Sequence, residues 1–181
     1  MHWRSFLNSL LERGMQGVRL VVSDDHAGLQ QARQASLPSV PWQRCQFHLQ
    51  QNAQAYVPQV SMRKEVAQAF RDVFNAPDKT EADRMLALLV ERYHKSAPAL
   101  AEWAEENIPE GLTVFQMPKA HRQRLRTTNG LERLNREIKR RTRVVSLFPN
   151  EASLLRLASA LLVEIDDEWM TGKMYLNMKS E

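Results

Sequence analysis

Two carboxylates stand where the sequence could build a metal-dependent reaction centre. The first, Asp24, lies two positions after residues 18–22, a short and nearly continuous apolar run rich in β-branched side chains. Such a run is typical of a strand buried in a mostly parallel sheet. Ligand sites in these sheets lie at the carboxyl ends of the strands, so Asp24 is a candidate metal ligand. The alternative is structural, because an aspartate after a strand often caps the following helix.

The second carboxylate, Glu132, begins a row of cations. On a helix predicted over residues 129–141, Glu132 shares one face with Arg136 and Lys139. This position makes Glu132 a candidate catalytic residue. The alternative is again local, because Glu132 also fits a capping box in which Asn129 is the N-cap residue.

Positive charge is concentrated around this second carboxylate. The 181 residues include 25 Lys and Arg against 21 Asp and Glu, a net charge of +4. Residues 119–143 alone carry ten basic and two acidic side chains, and two carboxylates cannot neutralise ten cations. We therefore expect this segment to contact the phosphate backbone of nucleic acid, although a solvated helix face with internal ion pairs is the alternative. The candidate DNA contacts are Arg122, Arg124, Arg126, Arg136, Lys139, Arg140, Arg141 and Arg143.

A Cys-x-x-His pair, Cys45 and His48, lies near the end of a second predicted strand over residues 42–47. Two ligands do not complete a structural zinc site, which normally has four, and the spacing of His26 and His121 does not require them as partners. A buried structural role is the favoured interpretation of the pair. As the only cysteine, Cys45 cannot form an internal disulfide, so we expect a reducing, cytoplasmic setting.

The sequence predicts alternating helices and strands over the first fifty residues and mainly helices afterwards. These elements would position the candidate residues. A composition of 43% hydrophobic and 25% charged residues is typical of a folded chain, and no apolar run reaches the roughly 20 residues of a membrane span. An amphipathic helix is predicted to begin near Trp3. Further helices are predicted over residues 27–36, 129–141 and 150–170, with an all-helical block over 50–107 and an extended or loop-like segment over 112–117.

Three motifs together carry a family resemblance. They are Val-Val-Ser-Asp-Asp-His-Ala-Gly-Leu at 21–29, Arg-Cys-Gln-Phe-His at 44–48, and Thr-Asn-Gly-Leu-Glu-Arg-Leu-Asn-Arg-Glu-Ile-Lys-Arg-Arg at 128–141. In this order and separation they resemble the Mutator-type transposases of bacterial insertion sequences, over essentially the whole chain. The resemblance implies an α/β fold class and a mostly helical chain. Its ribonuclease H-like core would be incomplete at the N-terminus and interrupted by an all-helical insertion.

The resemblance also implies that the chain divides into three regions and that the complete enzyme uses a metal ion in catalysis. Residues 1–50 would belong to the catalytic core, 51–118 to the helical insertion, and 119–181 to the basic segment and closing helices of the core. Asp24 and Glu132 would be the second and third members of an Asp-Asp-Glu triad that binds Mg²⁺ or Mn²⁺ in the complete enzyme. That enzyme would cleave DNA and transfer strands, with Cys45 and His48 as a family motif of unassigned role.

The expected partners are transposon ends, target DNA, and either a second copy of the chain or a full-length transposase, but no membrane. No residue before Asp24 stands where the first triad aspartate belongs, since Glu12 is the one earlier acid and lies in a predicted helix. We therefore expect the carboxyl-terminal part of a transposase that cannot transpose DNA alone. A non-catalytic DNA-binding protein or regulator of a full-length transposase, and a helical interaction protein with solvated cations, remain open.

Overall fold

The protein is described by a computed structural model that covers residues 2–145 and 148–171. The described chain is mostly helical, as the sequence predicts, and its contacts divide it into two units, Met1–Thr127 and Thr128–Glu181. The helices are α1 (Trp3–Glu12), α2 (Ala27–Ser36), α3 (Gln46–Ala53), α4 (Arg63–Phe74), α5 (Lys79–Tyr93), α6 (Pro98–Asn107), α7 (Lys119–Leu125), α8 (Asn129–Val145) and α9 (Glu151–Thr171). The strands are β1 (Val21–Ser23) and β2 (Trp42–Arg44), and short 3₁₀ turns cover Gln54–Tyr56, Val60–Met62, Ile108–Gly111 and Thr113–Gln116.

The two strands form a parallel pair connected through α2. Val21 lies opposite Trp42 and Ser23 lies opposite Arg44, so both strands end at the same edge. The predicted helix–strand–helix–strand order is confirmed, but both strands are shorter than predicted. The expectation that the first strand is buried on both faces is wrong, because Val21 and Val22 are only half-buried. Within the described residues β1 has one neighbouring strand, which leaves part of its surface uncovered.

Most of the hydrophobic core of the first unit lies among the helices that follow the sheet. On α4, Val66, Phe70 and Val73 recur at helical spacing and are almost completely buried, so this face packs inward. The ring of Phe70 meets Trp103 of α6 edge-on, with centroids 6.3 Å apart. The all-helical character predicted for residues 50–107 is therefore confirmed. It stays a prediction that this block is an insertion in a ribonuclease H-like core and that the insertion covers residues 51–118.

The buried side chain of Gln43 ties β2 to the turns after α6. Its Nε2 donates to the carbonyl oxygens of Arg44 and Gly111, both at 2.7 Å. Its Oε1 accepts a 2.7 Å hydrogen bond from the backbone N–H of Val114. The prediction of an extended or loop-like segment over residues 112–117 is wrong for most of its length, which forms the 3₁₀ turn Thr113–Gln116. A contact between residues 71 positions apart stabilises this turn, so local sequence does not reveal it.

In the second unit, α8 and α9 are the two described helices and contact each other. Helix α8 begins at the predicted residue, Asn129, and extends to Val145 instead of ending at 141. Helix α9 lies within one residue of its prediction at both ends, and its Leu161 is buried. No helix in the described ranges is both long and apolar enough to cross a membrane.

Candidate functional site

The ends of the two parallel strands bring Asp24 and Cys45 to one edge of the sheet. Asp24 is the first residue after β1, and Cys45 is the first after β2. The backbone N–H of Cys45 donates to the carbonyl oxygen of Ser23 at 2.8 Å, which continues the strand pairing by one residue. Cys45 is also the N-cap of α3, so His48 lies in the first turn of that helix. The Cys-x-x-His spacing thus places both side chains beside Asp24.

One ligand atom from each of Asp24, Cys45 and His48 lies within 4.8 Å of the other two. The closest approach is 2.5 Å, between His48 Nδ1 and Asp24 Oδ1. Cys45 is completely buried, whereas the Asp24 side chain is 55% exposed and that of His48 is 28% exposed. The cluster is therefore open to solvent on its carboxylate side and closed on its sulfur side.

The structure answers whether Asp24 or Asp25 caps the following helix. The N-cap of α2 is His26, whose Nδ1 accepts a 3.2 Å hydrogen bond from the backbone N–H of Leu29. The capping alternative is therefore wrong for both aspartates. The carboxylate of Asp25 instead lies 3.3 Å from the guanidinium of Arg44.

Sequence reasoning missed Arg44, whose buried guanidinium holds the turn that carries Asp24. Besides Asp25, its Nη1 donates to Asn107 Oδ1 at 2.9 Å and to Glu110 Oε2 at 2.8 Å. A charged residue inside a predicted buried strand was the available signal, because a buried cation requires partners. The role of Arg44 is to fix the strand end and the acidic turn relative to the segment after α6.

The second predicted carboxylate, Glu132, lies in the first turn of α8. Its backbone N–H donates to the carbonyl oxygen of Thr128 at 3.0 Å, which makes Thr128 the N-cap residue. The capping box with Asn129 as N-cap is therefore wrong. The side chain of Thr128 donates a 2.8 Å hydrogen bond to Glu132 Oε1 and holds the carboxylate in place. One concave surface of α8 is lined by Glu132, Asn135, Arg136, Lys139, Arg140 and Arg143.

Ion pairing on α8 is incomplete, as the charge count predicts. Glu137 binds Arg140 at 2.7 Å and Arg141 at 2.8 Å. Hydrogen bonds from Arg140 first and Arg141 second lower the pKa of the Glu137 carboxyl from 4.5 to about 2. Within the described ranges, Arg136 and Lys139 form no ion pair.

Two of the predicted DNA contacts, Arg122 and Arg126, also form hydrogen bonds within the first unit. Arg122 donates from Nε to the Met117 carbonyl at 2.9 Å and from Nη1 to the Pro77 carbonyl at 3.1 Å. Its guanidinium also lies over the ring of Phe115, 5.3 Å from the centroid.

Arg126 donates to Asn75 Oδ1 at 2.7 Å, and its carbonyl accepts from the backbone N–H of Gln46 at 2.9 Å. Arg124, like Arg122, lies on the short helix α7, and Arg126 directly follows it. The candidate DNA contacts thus divide into a group on or beside α7, in the first unit, and a group along α8, in the second.

The two carboxylates and the Cys45–His48 pair suit different kinds of metal ion. Carboxylate oxygens such as those of Asp24 and Glu132 suit the hard cations Mg²⁺ and Mn²⁺, and Asp24 is exposed enough to reach an ion from solvent. The sulfur of Cys45 and the imidazole of His48 suit softer transition metals. The residues present therefore fit a hard divalent ion at the carboxylates, with an additional soft donor pair beside Asp24.

The chain is similar in sequence to several transposases of insertion sequence elements. A transposase for the insertion sequence element IS406 of Burkholderia multivorans is 65% identical over 177 residues, which cover 98% of this chain and 46% of that protein. A transposase for ISRM5 of Rhizobium meliloti is 44% identical, with 97% of this chain and 44% of that protein covered. A transposase for IS1081 of Mycobacterium tuberculosis is 38% identical, with 98% and 42% covered.

The chain spans somewhat less than half the length of these relatives. It also matches the family described as "Transposase, Mutator family" over residues 1–172, which is nearly its whole length. The three motifs on which the sequence resemblance rests all fall inside that match. The chain therefore belongs to the Mutator family of transposases.

Proposed function

We infer that this chain acts in the transposition of an insertion sequence, by binding DNA along α8 and by contributing Asp24 and Glu132 to a metal centre that cleaves DNA and transfers strands. Family membership supports the general role. The observation that carries the inference is the concave surface of α8, where Glu132 shares one face with Arg136 and Lys139, which form no ion pair within the described ranges. A metal-binding carboxylate beside a phosphate-binding surface is what phosphodiester chemistry requires.

The dimensions and charge of α8 suit a DNA backbone. Its 17 residues rise about 1.5 Å each, so the helix is about 25 Å long, comparable to about seven base pairs of duplex. Arg136, Lys139 and Arg143 follow one another on the face that also carries Glu132. Contacts of this kind read phosphates and not bases, so they position DNA without selecting its sequence.

The carboxylates have a defined part in this proposal. A divalent ion held by carboxylates lowers the pKa of bound water and stabilises the leaving oxygen in phosphodiester cleavage. Thr128 restrains Glu132 through its 2.8 Å hydrogen bond, and the Arg44 network restrains the turn after β1 that presents Asp24. The carboxylate of Glu132 and the turn that carries Asp24 are thus both held by neighbouring side chains.

Site-directed oxidative cleavage tests whether Asp24 and Glu132 share an ion. Fe²⁺ bound in place of Mg²⁺, with ascorbate and hydrogen peroxide, cuts a polypeptide near its binding site. We expect cuts near both residue 24 and residue 132 in the purified chain. The cut near residue 132 should disappear in Asp24→Asn, whereas Glu151→Gln, an exposed glutamate in the first turn of α9, should leave both cuts unchanged.

The absence of a cut near residue 132 in the unmodified chain, or its persistence in Asp24→Asn, would overturn the shared metal centre. Salt-dependent DNA binding that survives such a result would favour a non-catalytic DNA-binding protein or regulator. The two parts of the proposal are therefore tested by separate measurements.

A further inference from the structure

The nitrogen of His48 and the oxygen of Asp24 approach each other without forming a hydrogen bond. The 2.5 Å separation of Nδ1 and Oδ1 is shorter than an ordinary N–H···O hydrogen bond, yet the buried Nδ1 has no hydrogen-bond partner in the described part of the chain. A carboxylate oxygen and an imidazole nitrogen this close to each other are two donor atoms that one metal ion could share.

A third donor lies beside this pair. The Cys45 sulfur lies within 4.8 Å of one ligand atom of each of these two residues, and Cys45 follows the end of the neighbouring strand. Three backbone positions therefore aim an oxygen, a nitrogen and a sulfur at one point. The strand pairing fixes Asp24 relative to Cys45, and the first turn of α3 fixes Cys45 relative to His48.

We propose that Asp24, Cys45 and His48 form a binding site for a transition-metal ion, with Zn²⁺ as the preferred occupant. Thiolate and imidazole ligands favour Zn²⁺ over Mg²⁺, which binds oxygen almost exclusively. The site does not require Glu132, so it goes beyond the carboxylate centre proposed above. It assigns a role to the Cys-x-x-His motif.

The size of the cluster agrees with zinc coordination after a small adjustment. Zinc bonds of about 2.0–2.3 Å to oxygen, nitrogen and sulfur place tetrahedral ligands about 3.3–3.6 Å apart. The separation of His48 Nδ1 and Asp24 Oδ1 is 2.5 Å, shorter than this value, and the ligand atoms of the three residues all lie within 4.8 Å of one another. Rotation of the half-exposed Asp24 side chain can separate its oxygen from His48, while the buried Cys45 stays in place.

Three protein ligands leave the fourth tetrahedral position open. Structural zinc sites are closed by four protein ligands, whereas sites with three bind water or a substrate oxygen at the fourth. The exposed side chain of Asp24 gives the cluster access to solvent. A phosphate oxygen of DNA fits this position chemically. Zinc would also engage Asp24, so it should compete with Mg²⁺ for that carboxylate.

Cobalt(II) spectroscopy on the 181-residue chain tests the site directly. Co²⁺ takes zinc ligands and shows a near-ultraviolet charge-transfer band only when a thiolate binds it. Cys45 is the sole cysteine, so such a band can come from no other residue. We expect the band at one Co²⁺ per chain, its persistence in a large excess of Mg²⁺, and its loss when one equivalent of Zn²⁺ is added.

Variants assign the ligands. Cys45→Ala should abolish the band, and His48→Ala and Asp24→Asn should each weaken Co²⁺ binding at least about tenfold, since removing even a residue that only orients a ligand costs roughly 10–100-fold. His94→Ala, an exposed histidine at the end of α5, is the matched control and should leave binding unchanged. Far-ultraviolet circular dichroism of each variant checks that it is folded.

A folded chain that shows no thiolate band, or whose Co²⁺ is displaced by Mg²⁺, would overturn the proposal. So would an unchanged Co²⁺ affinity in folded His48→Ala. Neither result depends on Glu132 or on DNA, so this site can fail while the proposed function stands. Conversely, a thiolate band without oxidative cuts near residue 132 would support this site and overturn the shared carboxylate centre.

Discussion

The buried guanidinium of Arg44 donates to Glu110 at 2.8 Å and thereby connects the end of β2 to the turn after α6. The same side chain reaches Asn107 and the carboxylate of Asp25. One arginine thus joins three segments that are distant in sequence. Because Asp25 adjoins Asp24, this network also restrains the candidate metal ligand.

Replacing Arg44 by lysine should destabilise the fold while keeping the charge. A lysine ammonium lacks the planar fork that serves three partners at once. We expect Arg44→Lys to lower the free energy of unfolding by about 1–3 kcal/mol, measured by urea denaturation. Arg63→Lys, at an exposed position of α4, should change it by less than about 0.5 kcal/mol. Equal unfolding midpoints for the two variants would contradict a structural role for Arg44.

Neutralising the unpaired cations of α8 should weaken DNA binding in a salt-dependent way. For Arg136→Gln with Lys139→Gln, the slope of log K against log salt should fall in magnitude by about 1.8, because each lost phosphate contact removes about 0.9. Fluorescence anisotropy with a labelled duplex measures this slope. The matched control is Arg63→Gln with Lys64→Gln, which removes the same two charges from exposed positions of α4. If both double variants lose affinity equally, net charge and not α8 determines binding.

Removing Glu137 should strengthen DNA binding. Its carboxylate binds Arg140 and Arg141 in the described structure and so competes with phosphate for them. In Glu137→Gln both guanidiniums become available, and we expect a higher affinity at low salt and a steeper salt slope. Glu151→Gln makes the same charge change in α9, where no carboxylate–arginine pair is broken. An affinity gain as large in Glu151→Gln would show that only net charge matters.

The contribution of Glu137 to helix stability should depend on pH. Its pKa is lowered from 4.5 to about 2, so the folded state favours the ionised form. The stabilisation is therefore present above pH 4.5 and is lost as the pH falls toward about 2. The difference in thermal unfolding midpoint between the unmodified chain and Glu137→Gln should be constant above that window and shrink within it. A difference that grows as the pH falls would contradict the assigned ion pairs.

The purified 181-residue chain is not expected to cleave insertion-sequence ends by itself. Asp24 and Glu132 correspond by resemblance to two members of the family triad, and two carboxylates leave the metal centre incomplete. An assay with Mg²⁺ or Mn²⁺ and duplex DNA carrying terminal inverted repeats should show no 3′-hydroxyl product above background. A full-length family member serves as the positive control. Efficient cleavage by the chain alone, abolished by Asp24→Asn, would refute this expectation.

Local sequence patterns predicted most of the helices and the placement of Asp24 after a strand and of Glu132 in the first turn of a helix. The helical spacing of Val66, Phe70 and Val73 is a local pattern, and it predicts α4 without knowledge of what covers the buried face. The apolar run before Asp24 likewise placed this residue after a strand. The cation count around Glu132 predicted incomplete ion pairing, and Arg136 and Lys139 lack ion pairs in the described structure.

Contacts between side chains that are distant in sequence depend on the tertiary structure. The cluster of Asp24, Cys45 and His48 depends on parallel pairing in one register, and a shift of one residue would turn alternate side chains to the opposite face. Asn107, a partner of Arg44, and Val114, a partner of Gln43, lie more than sixty positions away along the chain. Periodicity reports which face of an element is buried but not what lies against it, so contacts between distant segments were beyond sequence-based prediction.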